Sequence, residues 1–163
     1  MTLRRPMPSY PSSGVSQVFG LLDVLRAYKG KTSVAKLNMD LHLDIDDLLP
    51  PIATAELLEL VTVKDGEISL TEIGRKILSS KMPARKVIIG EQLAKVDLCK
   101  RILTELDNKK RLALVDVEDL IEGAYGPFKD VHDGVRLVIR WGVFADLFDY
   151  DGQGIILHKT SDS

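Results

Sequence analysis

The chain has 163 residues, 45% of them hydrophobic, and one cysteine; that is enough to bury the core of one domain or of two small ones, and it excludes a disulfide-held fold. No apolar run approaches the roughly 18 residues of a membrane span and no apolar secretory segment opens the sequence, which points to a soluble, cytoplasmic protein that does not insert into a membrane. The net charge of −2 conceals four blocks, +5 over residues 1–37, −8 over 38–72, +7 over 73–111 and −6 over 112–163, so only the first and third suit a polyanion.

Residues 1–13, with Pro6, Pro8, Pro11, Arg4, Arg5 and several serines, read as a flexible leader, because too little apolar area is available to offset the entropy of ordering it. A first module is expected over 14–82. Val15, Val18, Leu22 and Leu25 form one stripe of a helix that runs to Tyr28 and stops at Gly30. Ser33 starts a second, shorter helix with Val34, Leu37 and Leu41 inward. Asp44 and Asp47 resemble a capping box at the start of a third helix, Ile45 to Leu58, in which Pro50-Pro51 predicts a kink. Val61, Val63, Ile68 and Leu70 then alternate as a half-buried hairpin around Asp65-Gly66, a pair suited to the positive φ angles of a two-residue turn. Thr71 caps a helix to about Lys81, with Gly74 giving close approach to the ribbon.

Pro83 opens a connecting helix, 83–96, and Asp97 is expected to cap a helix from Leu98 to Leu106. Cys99, among Leu98, Ile102 and Leu103, reads as a small buried apolar group. A second module, 97–163, echoes the first. A short helix is marked by Val117, Leu120 and Ile121, and a longer one by Val131, Val135, Val138, Ile139 and Trp141. Two strand-like runs within residues 143–159 follow, around Asp151-Gly152, 86 residues after the first Asp-Gly. The fold class is therefore mainly α with small β-hairpin wings, an α+β tandem of winged helix-turn-helix modules.

The third helix occupies the place that enters the DNA major groove in such modules, yet its charge opposes this. It carries Asp46, Asp47, Glu56 and Glu59 and no Lys or Arg. Like charges about 4 Å apart repel by roughly 1 kcal/mol in water, so several carboxylates pressed toward phosphates outweigh one good base contact. These four acids, with Asp146 and Asp149 of the second wing, are the candidate partner-binding residues. The alternative, a DNA-binding regulator, would use Lys129, His132, Arg136 and Arg140 of the second module with Arg85 and Lys86 of the central basic region.

Sites of chemistry are sparse. Gly30-Lys31-Thr32-Ser33 mimics the end of a phosphate-binding loop, but Leu25 stands where the motif needs glycine, and a helix, not a strand, precedes it. His42, His132 and His158 lack a second ligand at metal-binding spacing, and no serine sits with His and Asp on a strand-turn-helix elbow. No catalytic residue, metal site or cofactor is expected.

The runs Gln17 to Leu22, Leu43 to Pro50, Ala55 to Leu58, Leu70 to Arg75, Glu91 to Leu93 and Trp141 to Tyr150 resemble the AAA-associated C-terminal domain found behind the ATP-binding subunit of nitrate/sulfonate/bicarbonate (taurine-type) ABC importers. The resemblance spans about Ser12 to His158. It implies an accessory or regulatory role with no catalytic residues to carry over, and the ATP-binding subunit as partner. The phosphate loop and the ABC signature are missing from this sequence, so ATP hydrolysis is not expected of it; a separate gene product acting in trans is. The basic central helices and the acidic patches also make a homodimer an expectation.

Overall fold

The computed structural model describes residues 11–125 and 131–158. Its elements follow from local signals taken in turn. Helix α1 (Val15–Ala27) buries Val18, Leu21, Leu22 and Leu25. It ends where Lys29 (φ 61°) and Gly30 (φ 93°) turn left-handed and the Gly30 N–H donates to the Leu25 carbonyl at 2.7 Å. Strand β1 (Lys31–Ser33) follows at once, and Ser33 caps α2 (Val34–Leu41), its hydroxyl accepting from the Lys36 N–H at 3.0 Å. Helix α3 (Ile45–Leu57) closes at Glu59 (φ 62°), with Leu60 N–H on the Ala55 carbonyl at 2.8 Å.

Strands β2 (Val61–Lys64) and β3 (Glu67–Leu70) form the expected hairpin, with Asp65 at φ 51° and Gly66 at φ 78°. Thr71 caps α4 (Glu72–Leu78) by accepting from Gly74 N–H at 3.0 Å. Gly74 is required there: a β-carbon would strike the Leu60 carbonyl.

Helix α5 (Met82–Leu93) begins with Pro83 in its first turn and leads to α6 (Asp97–Lys109). Strand β4 (Arg111–Ala113), α7 (Leu114–Tyr125), α8 (Val131–Phe144), β5 (Phe148–Tyr150) and β6 (Gly154–Leu157) complete the chain. The order helix, strand, helix, helix, strand, strand thus occurs twice, from α1 and from α6. Each set builds a three-stranded antiparallel sheet with its last strand in the middle, β1-β3-β2 and β4-β6-β5. No helix among the described residues is long and apolar enough to cross a membrane.

Several expectations change. The segment that mimics a phosphate loop is an edge strand, Lys31 pairing with Ser69 and Ser33 with Glu67, and β4 is its counterpart. Asp44 makes no side-chain cap; its carbonyl instead accepts from Asp47 and Leu48. Val96, not Asp97, is the residue before α6, and the Asp97 carboxylate accepts from Arg101 Nε at 3.0 Å. Helix α4 stops at Leu78 because Ser79 and Ser80 turn their hydroxyls back onto the Lys76 carbonyl. Val143 and Phe144 close α8 instead of opening a strand. Pro50 and Pro51 lie within the single element α3, where they deprive the Asp46 and Asp47 carbonyls of their usual donors four residues on.

Two apolar cores result. One gathers α1, α2, α3, the first sheet, α4 and α5, and the other gathers α6, α7, α8 and the second sheet. Helix α8 serves both, since Val135, Val138 and Ile139 enter the second while Trp141, and Ala145 just past its end, enter the first. Fully buried Trp141 donates its indole N–H to the Ser13 carbonyl at 2.7 Å, and Ser12 N–H donates to Thr54 Oγ1 at 3.0 Å. Residues 11–13, counted with the leader on sequence, are thereby anchored, whereas 1–10 lie outside the described residues. Gly142 lies under the Phe148 ring with no room for a β-carbon.

Trp141→Phe removes the indole N–H that donates to the buried Ser13 carbonyl, so urea unfolding should show a loss of about 1–3 kcal/mol. Gly142→Ala should cost a comparable 1–3 kcal/mol by overpacking, read from the same midpoint shift.

Candidate docking surface

The acidic start of α3 rims a groove. Asp46 and Asp47 occupy its first turn, where carboxylates complement the helix dipole, and both are exposed. The groove, of about 580 Å³, runs between α1 and α3 over Leu21, Val24, Leu48 and the two prolines. Leu43 lines its edge and is 41% exposed, Ile45 beside it is exposed, and Met39 on α2 is 70% exposed. The carboxylates of Asp44, Asp46 and Asp47 have no hydrogen-bond or ion-pair partner among the described residues. Apolar floor and charged rim therefore coincide on one face.

The other sequence-selected acids do not join this face. Glu56 is half-buried beside a separate hollow with exposed Glu59 and Glu72. Glu59 is occupied internally: Gln92 Nε2 donates to its carboxylate at 2.9 Å and to the Leu58 carbonyl at 2.9 Å, and Lys95 Nζ lies 3.7 Å from it. This set ties the end of α3 to the α5–α6 junction. Asp149 is held by His158 Nδ1 at 3.0 Å, while Asp146 is exposed at the left-handed end of α8 (φ 58°).

The cations divide likewise. Arg85 sits 5.5 Å over the Phe19 ring and donates Nε to the Ser80 carbonyl, and Lys86 sits 5.9 Å over Phe144. Those two rings meet edge to face at 5.6 Å, so both cations cover a seam between α1, α5 and α8. His132, Arg136 and Arg140 share one side of α8, and Lys129 lies outside the described residues. Sequence reasoning missed Leu43 as part of the acidic face; its signal was an apolar residue in a turn otherwise polar.

Among the described residues no group of His, Cys, Asp and Glu is placed to hold a metal ion. Cys99 is buried, and burial pushes its thiol from an ordinary 9.0 up to about 12. The Tyr28 hydroxyl donates to Asp40, a bond that raises its pKa, with burial and the Asp40 charge adding to the shift.

A thiol held as the neutral form is a poor nucleophile, so a disulfide reagent at pH 8 should modify native chain at a small fraction of the rate seen in urea. Because the native thiol binds its proton more tightly than the unfolded one, stability due to this group is complete below pH 9 and should decline between about 9 and about 12.

Compared with known proteins, residues 35–151 match the family model described as the C-terminal AAA-associated domain. No curated protein and no solved structure matches the chain.

Proposed function

From the premise that this chain belongs to the C-terminal AAA-associated domain family, we propose that it is a non-enzymatic cytoplasmic accessory protein, a tandem of winged helices that acts by binding an ATPase subunit. The subunit in this reading is that of a nitrate/sulfonate/bicarbonate-type ABC importer. The family description supports association with an ATPase of the AAA kind. The repeated helix-strand-helix-helix-strand-strand order supports the winged-helix reading.

One observation carries the mode of action. The helix at the recognition position presents unpaired Asp44, Asp46 and Asp47 beside an apolar groove. Duplex DNA offers such a surface no cations, and its phosphates are repelled. A basic amphipathic segment of a polypeptide supplies cations and apolar matter, with its apolar side on Leu21, Val24 and Leu48 and its Lys or Arg side chains on the rim. Steering by the rim would speed encounter, and the floor would slow release. Regulation in this reading is occupancy: the module changes the ATPase by sitting on it.

Titration of the pure protein against the importer ATPase at micromolar concentrations tests the reading. Binding that weakens with rising salt and falls by about tenfold or more in Asp46→Lys/Asp47→Lys is expected. No binding signal and no change in ATPase rate at those concentrations would remove the proposal. Specific binding of promoter duplex near 10⁻⁸ M at physiological salt would replace it with the regulator reading.

A further inference from the structure

The second half has a concavity that protein docking through α3 does not use. His132, Arg136 and Arg140 lie at four-residue intervals on α8 and so project along one side of it. They border a hollow of about 530 Å³ whose floor is Leu114, Val135 and Ile139 and whose far wall is Tyr150, 47% exposed. Pockets of 300 to 1,000 Å³ with an apolar lining and a few convergent polar groups are about the size that encloses a small organic molecule.

Charge decides what kind of molecule. The single carboxylate in the lining, Glu118, is engaged by His132 Nδ1 at 2.8 Å. Asp133 approaches Arg136 only at 3.9 Å and does not line the hollow. Arg140 has no ion-pair partner among the described residues, and its side chain is exposed. Two guanidiniums at the rim of a recess with an apolar floor match a molecule with an apolar or aromatic body and an anionic end. Guanidinium groups suit carboxylate and phosphate oxygens equally, through paired N–H donors.

These three cations, with Lys129, Arg85 and Lys86, are also the candidates of the DNA-binding alternative. A duplex is too broad to enter the hollow, and its phosphates would meet Asp133 beside Arg136. A small anion reaches the guanidiniums from within the hollow, which Asp133 does not line. We propose that the α8 hollow is a binding site for a small amphipathic anion, its carboxylate or phosphate held by Arg136 and Arg140 and its apolar body seated between Ile139 and Tyr150.

The full chain should be titrated calorimetrically with 1-naphthoate and 1-naphthyl phosphate, with neutral 1-naphthol as control. Both anions should bind at sub-millimolar concentration and the neutral alcohol about tenfold or more weakly. Arg140→Gln and Arg136→Gln, both at exposed positions, should each weaken the anions about tenfold with the unfolding midpoint unchanged, and Tyr150→Ala should weaken all three aromatic probes. Equal binding of 1-naphthol and the anions, or unchanged affinity in Arg140→Gln, would overturn the site. So would a 20-base-pair duplex whose binding depends on Arg136 and Arg140 while the naphthyl anions do not bind. None of these outcomes bears on ATPase binding through Asp46 and Asp47, so the two proposals fail separately.

Discussion

A buried indole has to place its N–H, and in this chain Trp141 places it on the carbonyl of Ser13, 128 residues earlier. That bond fixes α8 against the start of α1, and α8 is the element on which the second core is built. The helix thus belongs to both halves: its Val135 side packs with α6 and α7, and its Trp141 side packs with α1, α3 and α5. Gly142 and Phe148 complete the arrangement, since only a glycine next to the tryptophan leaves room for the tip of the phenyl ring against the helix. The Trp-Gly to Asp-Tyr run is particular because Trp141, Gly142, Phe148 and Asp149 are each held by a specific contact.

With α8 fixed, the charged side chains divide into those the fold consumes and those it leaves over. Glu59 is consumed in joining α3 to the α5–α6 junction, Asp151 in pairing with Arg111 across the second sheet, and Arg85 and Lys86 in covering two phenylalanines. What remains over is asymmetric. The first half keeps unpaired acids beside an apolar groove, and the second keeps the Arg140 guanidinium at a recess. Surface ion pairs contribute little stability, so leaving these groups without one costs the fold little and keeps them open to a partner.

Much of the architecture was legible because its signals are local. Asp65-Gly66 states its turn through backbone freedom alone, and Ser33, Thr71 and Pro83 announce helix starts through one hydrogen bond or one fixed φ. Strands β1 and β4 were illegible for the opposite reason. Three residues show no period, and their state is decided by β3 and β6 more than thirty residues away. The acids of the candidate surface were visible one by one, but which of them stand free depended on Gln92, Lys95 and His158, whose approach no spacing rule foretells. The destination of Trp141 was hidden likewise, since nothing near it in sequence asks for an acceptor in residue 13.

The two prolines of α3 leave a lasting mark on how that helix can be read. Carbonyl groups stripped of their donors are a property of the main chain at Asp46 and Asp47, set by the ring nitrogens at 50 and 51 and indifferent to the side chains that surround them. Exchanging either ring for an ordinary amide would return an N–H to the helix ladder, and the first turns of α3 would then close on themselves.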